Sequence, residues 1–337
     1  MILVTGACGY IGSHFLRYYQ ERYPQADLVA IDNLSVGHRE VLNFLDGERL
    51  HFYSVDVGNP EVVGILKRHE VDAVAHFAAN AYVGESQVLP FKYFRNNVNE
   101  TLGLLESMDK CGIKKLVFSS TCATYGNPRY SPINEEHPQN PINTYGTTKV
   151  MVEEALRSQA LCRGLRYVCL RYFNAAGAHP SGEIGESHAP ETHLLPLAIA
   201  AAMGKGPKLK VYGQDYPTAD GTCVRDYIHV NDLADAHCRA LELLSAEYQG
   251  NLEEANGLGM ALNLGTAQGA SVKEVIAQVE AVVGSPVPHE FAARRPGDPA
   301  YLVADYSKAK SILGWQPAYD LRAIVETATN WEAKRTY

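Results

Sequence analysis

Ile2-Leu3-Val4-Thr5-Gly6-Ala7-Cys8-Gly9-Tyr10-Ile11-Gly12 is the stretch whose reading decides the fold. Its first four residues are apolar or β-branched, as in a short strand buried on both faces. Three glycines follow at three-residue spacing, and a helical pattern then runs to about Tyr19. Glycine at these positions permits a tight turn and lets a pyrophosphate approach the backbone at a helix N-terminus. The spacing is G-x-x-G-x-x-G, not the G-x-G-x-x-G of the standard dinucleotide fingerprint. Its position between the first strand and the first helix is what gives the motif weight.

Working outward, Leu28-Val29-Ala30-Ile31 reads as a second strand ending at Asp32. An acid about 20 residues past the glycines commonly holds the adenosine ribose hydroxyls. It repels a 2′-phosphate, which selects NAD over NADP; the plainer reading of Asp32 is a helix N-cap. Asn33, Leu34, Ser35 and Gly37 form the adjoining loop. A third strand, residues 50–55, ends at Asp56-Val57, and a fourth, Ala73-Val74-Ala75-His76, ends at Phe77-Ala78-Ala79. Small residues there let a dinucleotide lie close over the sheet. One long helical pattern covers residues 87–111 and contains Asn96. A fifth strand, Leu116-Val117-Phe118, delivers Ser119-Ser120-Thr121 at its carboxyl end, and a sixth is expected at residues 167–171. Strands alternating with helices predict an α/β chain, a Rossmann-type doubly wound parallel sheet. Residues 1–176 are expected to form this domain. Residues 177–337, where the alternation loosens, are expected to form a smaller mixed α/β domain, with a strand or helix returning to the main sheet.

A second motif follows the fifth strand. In Tyr145-Gly146-Thr147-Thr148-Lys149, a Tyr and a Lys four residues apart share one helix face. A free phenol titrates at about 10 and is a poor base at neutral pH. A neighbouring cation favours the phenolate, and general-base chemistry on a sugar hydroxyl needs a group tuned in this way. Tyr-x-x-x-Lys also occurs by chance, so its meaning depends on the dinucleotide motif before it.

Composition excludes several classes. The net charge of −8 gives no basic footprint for nucleic acid, and no apolar run is long enough to span a bilayer. The start of the chain lacks the charged leader of a signal peptide. Seven scattered cysteines, none in a CxxC pair, predict reduced thiols in a cytoplasmic protein and no metal site.

These blocks resemble the extended short-chain dehydrogenase/reductases, and within them the nucleotide-sugar 4-epimerases. The glycine motif and Tyr-x-x-x-Lys belong to the whole superfamily. Arg171-Tyr172-Phe173-Asn174 matches as well, and more specific to nucleotide-sugar epimerases are Val224-Arg225-Asp226-Tyr227-Ile228-His229-Val230 and Arg295-Pro296-Gly297-Asp298. The resemblance implies an enzyme with bound NAD that inverts C4 of a UDP-hexose through a 4-keto sugar. It implies a cofactor site from Gly6, Gly9, Tyr10, Ile11, Gly12, the Asp32 to Gly37 loop, Asp56, Val57, Phe77, Ala78, Ala79, Ala81, Asn96, Ser119 and Phe173. Tyr145, Lys149 and Thr121 take the catalytic positions, Thr121 standing where the family often has Ser. Ser120, Asn174, His193, Leu194, Tyr212, Arg225, Arg295, Asp298 and Leu302 take those of the substrate site. The arginines would grip the diphosphate and Tyr212 would stack on uracil.

Three positions depart from the pattern. Ala81 stands where some members have Lys, and His193 where some have Asn. Leu302, at the sugar-pocket gate, is neither the Tyr of narrow pockets nor the small residue of N-acetylated-sugar pockets. Other UDP-sugars, among them pentoses, uronates and N-acetylhexosamines, therefore remain alternatives. A dehydratase would carry Asp-Glu after the strand-end Thr, whereas Cys122-Ala123 follows here. A non-catalytic NAD-binding scaffold is the reading from another class. The resemblance also implies a homodimer formed through a helical bundle of residues 87–111 and 146–161.

Overall fold

The computed structural model describes residues 1–245, 252, 255–295 and 298–337. Its strands are β1 (Ile2–Thr5), β2 (Leu28–Ile31), β3 (Leu50–Tyr53), β4 (Ala73–His76), β5 (Lys115–Thr121), β6 (Arg166–Tyr172), β7 (Asn174–Ala176), β8 (Leu209–Tyr212), β9 (Val224–His229), β10 (Gly259–Leu264), β11 (Gly269–Ser271), β12 (His289–Ala292) and β13 (Tyr301–Leu302). The helices are α1 (Tyr10–Arg22), α2 (Val62–Arg68), α3 (Val83–Val88), α4 (Pro90–Tyr93), α5 (Glu100–Lys110), α6 (Thr144–Arg163), α7 (Leu194–Ala202), α8 (Val230–Ser245), α9 (Val272–Val283), α10 (Ser307–Leu313) and α11 (Leu321–Lys334). They gather into two units. The first holds Met1–Gly126, Gln139–Arg171 and Ala234–Leu262; the second holds Asn127–Pro138, Tyr172–Leu233 and Asn263–Tyr337.

The first unit is built on a seven-stranded sheet of order β3-β2-β1-β4-β5-β6-β10. β1 pairs in parallel with β2 and β4, β2 with β3, and β4 with β5. β2 and β4 are buried at every residue, which is why they read as unbroken apolar runs rather than alternating ones. Leu3, Val29, Val74, Leu104, Leu116 and Leu156 share one core. Each such side chain contributes about 1.5–3 kcal/mol on burial. The strand order reverses between β1 and β4, and in open α/β sheets that crevice, at the carboxyl ends of the strands, is where ligands bind.

One expectation is corrected. The pattern over residues 87–111 is not one helix. It is α3, α4, a π-helical stretch Phe94–Asn99, and α5, beginning at Val83. Pro90 occupies the first position of α4, and its ring drives Leu89 out of the helical region, to φ −121° and ψ 56°. β10, Gly259–Leu264, comes from the second half of the sequence and extends the main sheet beside β6.

The second unit packs α7, α9 and α11 against one another around Leu195, Ile199, Val275, Val279, Ile324 and Val325. Its sheet runs β11-β9-β13, with β7 also on β9. Helix α9 starts with a capping box, in which Ser271 and Glu274 exchange hydrogen bonds.

Candidate active site

A cleft of about 600 Å³ lies at the switch point of the large sheet. Its walls include Gly6, Gly9, Asp32, Phe77, Ala78 and Asn96. Gly6 sits at φ +67°, and a Cβ on Gly12 would lie 2.1 Å from the Gly6 carbonyl oxygen, so the turn between β1 and α1 closes only with glycine at both places. Tyr10 and Ile11 open α1 behind that turn.

Asp32, at the end of β2, is nearly buried and does not cap a helix. Its carboxylate accepts from the Cys8 N–H at 2.9 Å and the Leu34 N–H at 2.8 Å. Burial raises its pKa, and those two bonds oppose the rise. Asn33 donates to Asp56 at 2.7 Å, joining the ends of β2 and β3 across the cleft mouth. Ser35, Gly37, Val57 and Ala79 also line the wall. A glycine cradle at a helix start with a carboxylate one strand away fits the pyrophosphate and ribose of a dinucleotide. Ala81 is exposed and does not line the cleft.

Three cleft residues were not singled out from the sequence: Val55, Asn80 and Glu100. The Asn80 N–H donates to Asn96 at 2.9 Å and to Asn97 at 2.8 Å, and Asn97 donates onward to Thr148 at 3.0 Å. Glu100 accepts from the Gly58 N–H at 2.9 Å. The run Asn96-Asn97 within a helical pattern was the available signal, because Asn is an uneconomical choice inside a helix unless its amide has a partner.

Helix α6 carries the Tyr–Lys pair. Asn143 caps it by accepting from the Gly146 N–H at 2.8 Å, and Gly164, at φ +72°, ends it. Tyr145 and Lys149 are both buried, and the Lys149 ammonium lies 5.9 Å from the centre of the Tyr145 ring and 4.6 Å from that of Phe118. It donates to the Ser119 carbonyl at 2.8 Å. Burial lowers its pKa to about 7, against the opposing pull of Glu153 and Cys169. Thr121 is also buried, and its Oγ1 accepts from the Ala123 N–H at 3.1 Å, which leaves its own proton to donate.

Ser120 alternates with Ser119 and Thr121 along β5, so it faces the other way. It is fully buried and donates to Glu153 at 2.5 Å. Glu153, two turns beyond Tyr145, also accepts from Gln139 at 2.8 Å and from Arg171 at 3.1 and 2.6 Å. Arg171 donates to Tyr125 as well, at 3.1 Å. This buried network ties α6 to β5 and β6, and Glu153 was missed because a glutamate in a helix ordinarily reads as a solvated face. His76 bridges Thr5 at 2.6 Å and Thr101 at 2.9 Å. Burial, with a smaller push from Lys149, drives its pKa down to about 3, so it is a neutral strut, as its strand position predicts.

In the second unit, Arg225 on β9 pairs with Asp298 and also donates to the Val224 carbonyl at 2.7 Å. The Arg295 guanidinium stacks 4.0 Å from the centre of the Tyr212 ring. Leu302 pairs in register with Arg225 between β13 and β9, and Asn174 pairs with Tyr227 between β7 and β9. Arg225, Asp298 and Leu302 therefore meet at β9, and Arg295 meets Tyr212. Phe173 is buried and its N–H bonds the Leu264 carbonyl at 3.2 Å. His193 stands immediately before α7 and makes no side-chain capping bond, and Leu194 is the first residue of the helix. Pro296 and Gly297, within the arginine block, lie outside the described residues. Asp226, in the middle of its block, is structural: its buried carboxylate accepts from Thr266, Ala267 and Ala304 at 2.6 to 3.1 Å.

The sheet order, the glycine turn and the buried Tyr–Lys helix define a dinucleotide-binding α/β protein with a short-chain dehydrogenase type of site. The sequence profile of the NAD dependent epimerase/dehydratase family matches residues 2–252, and the chain belongs to that family. It is 49% identical to a UDP-glucose 4-epimerase of Rhizobium meliloti over 335 residues, covering 99% of this chain and 97% of that one. It is 46% identical to a UDP-glucose 4-epimerase of Halalkalibacterium halodurans, covering 100% of this chain and 96% of that one. Its fold superposes with a TM-score of 0.90 on the crystal structure of UDP-glucose 4-epimerase from Brucella ovis in complex with NAD, at 44% identity and 97% coverage of both chains.

Proposed function

We propose that this chain is an NAD-dependent isomerase that interconverts UDP-galactose and UDP-glucose by inversion at C4. The observation that carries the reading is the buried Tyr145–Lys149 pair on α6, with Lys149 bonded to the Ser119 carbonyl of β5, in the unit that holds the dinucleotide cleft. Near-full-length identity to UDP-glucose 4-epimerases supports the choice of reaction and substrate.

The cleft residues Gly6, Gly9, Asp32, Phe77, Ala78 and Asn96 hold the cofactor. Bound NAD supplies reversible oxidation and reduction at the sugar C4. Tyr145 as phenolate takes the proton of the 4-hydroxyl and returns it after inversion. Lys149 holds the Tyr145 side of the site positive, and Thr121 donates to the sugar oxygen and relays the proton. His76, bonded through both ring nitrogens to Thr5 and Thr101 and with its pKa pushed down to about 3, is too weak a base to compete. Arg225 and Arg295 grip the diphosphate through forked donors, Asn174 and Asp298 bond polar groups of the nucleotide, and Tyr212 stacks on uracil. Arg225 and Asp298 satisfy each other before substrate arrives, which keeps either charge from standing alone in a half-buried site. Leu302 sets the room left for the hexose.

We further infer a cytoplasmic homodimer serving galactose metabolism. Val88, Leu89 and Phe91, with Leu102 on α5 and Met151 on α6, are exposed large apolar side chains on neighbouring helices. A surface of that kind fits a symmetric helical interface. Among the described residues no helix is long and apolar enough to cross a membrane.

Incubating the purified protein with UDP-galactose and following UDP-glucose tests the function. Turnover without added NAD supports both the reaction and a retained cofactor. Absence of turnover even with NAD added, on UDP-hexoses, UDP-pentoses, UDP-uronates and UDP-N-acetylhexosamines alike, overturns it.

A further inference from the structure

Just before α7, and ending at the substrate-site position His193, the second unit contains a compact set of nitrogen and carboxylate donors. Glu186, His188, Glu191 and His193 each offer one ligand atom, and those atoms all lie within 4.8 Å of one another. They come from eight consecutive residues in a Glu-x-His-x-x-Glu-x-His spacing that precedes α7. No cysteine takes part, so the absence of CxxC pairs, on which the expectation of no metal site rested, has no bearing on this cluster.

The geometry points to a site for one divalent transition-metal ion, of which Zn²⁺ is the representative. Zinc binds imidazole nitrogen and carboxylate oxygen at about 2.0–2.2 Å, so the edges of its coordination tetrahedron are roughly 3.3–3.6 Å. The donor atoms here already stand near that spacing. His188 Nδ1 is 3.2 Å from Glu186 Oε1 and 3.5 Å from Glu191 Oε2, and His193 Nδ1 is 3.6 Å from Glu191 Oε1. Glu186 and His193 are in direct hydrogen-bonded contact, and this edge must open to admit an ion. Two carboxylates balance the charge of a divalent cation. Two imidazoles favour zinc and its transition-metal neighbours over Mg²⁺ and Ca²⁺, which prefer oxygen.

The surroundings hold these donors in place. Glu186 is buried, and its backbone carbonyl accepts from the Trp331 indole at 2.9 Å. Ser187 donates to the Tyr337 carbonyl at 3.2 Å and accepts from Arg335 at 2.8 Å. Glu191 accepts from the Thr192 and His193 N–H groups at 2.7 and 2.8 Å. The loop is thus fastened to the end of α11 before any ion arrives, as a metal site with a supporting outer shell requires. Bound there, the ion clamps the loop to the first residue before α7, adjoining Leu194.

The test uses the full-length protein, dialysed against a chelator and titrated with ZnCl₂ and separately with CoCl₂. The expected results are one zinc per chain by elemental analysis, a higher Tm with zinc, and the visible band of tetrahedral Co²⁺. His188→Ala and Glu191→Gln, at half-buried positions that leave the Glu186 anchor intact, should each weaken binding by more than about 100-fold while retaining the wild-type circular dichroism. Failure to bind one equivalent, or equal binding by the His188→Ala, Glu191→Gln double variant, overturns the site and leaves a hydrogen-bonded ionic cluster. MgCl₂ and CaCl₂ should produce no Tm shift; a shift as large as zinc's would contradict the assigned metal class.

Discussion

The Lys149 ammonium donates to the backbone carbonyl of Ser119 at 2.8 Å, so the end of β5 and the second turn of α6 are held together by a buried cation. That bond ties Lys149 to the strand end, where Thr121, two residues further along β5, shares the face of Ser119 by strand alternation. A buried ammonium is costly, and its cost has a measurable pH signature.

Lys149 has a folded-state pKa near 7 against an ordinary 10.5. Between these values the unfolded chain binds more protons, so the Lys149 contribution to stability rises with pH across that window. At and below pH 7 the cost is fully present. Lys149→Met should therefore have its largest stability advantage, or smallest deficit, relative to wild type near pH 7, and lose ground as pH approaches 10. Paired urea melts across this range check the sign; a constant difference would contradict it. The same variant should lose about 100-fold or more in turnover.

Tyr145→Phe should reduce turnover by about 10²- to 10⁴-fold, the usual contribution of a positioned acid or base. Retained NAD should be close to wild type, because the cleft lies on β1, β2 and β4. Steady-state assay together with cofactor extraction separates the two effects. Unchanged turnover would favour a scaffold.

Removing one partner of the buried Arg171–Glu153 pair should cost about 3–5 kcal/mol, because the remaining charge and the Ser120 and Gln139 groups lose their partner. Chemical denaturation of Glu153→Ala and Arg171→Met tests this. A loss below about 1 kcal/mol would place the pair in the class of surface bridges.

Asp32→Asn should lower NAD retention after gel filtration by about tenfold, since each lost charged hydrogen bond of this kind is worth roughly 1.5–3 kcal/mol. NADP should gain relative to NAD, because the repelling carboxylate is gone.

The first half of the fold was legible because its signals are local. β1, β2 and β4 are short apolar runs, and Gly6 and Gly12 stand where a Cβ would collide with backbone. The helix break at Leu89–Pro90 was less legible, because the apolar periodicity continues across it and masks the single proline that interrupts the ladder. β10 joins β6 across about ninety residues of sequence, a pairing that no local pattern encodes. Within the candidate site, Tyr145, Lys149 and Asp32 could be picked out by residue type and spacing. Glu153 could not, since its partners Ser120, Gln139 and Arg171 come together only in the folded chain. Of the block Val224–Val230 the resemblance assigned a role to Arg225 alone; Asp226 and His229 serve the fold, one tying down the Thr266 turn and the other stacking on Tyr319 at 3.8 Å.

The central claim is inversion at C4 by removal and internal return of the same hydrogen. Purified protein given UDP-galactose deuterated at C4, in ordinary water, tests it most directly. The account predicts UDP-glucose that retains the deuterium at C4, formed without added NAD. Product with hydrogen from solvent at C4, or no product even with NAD present, would contradict it.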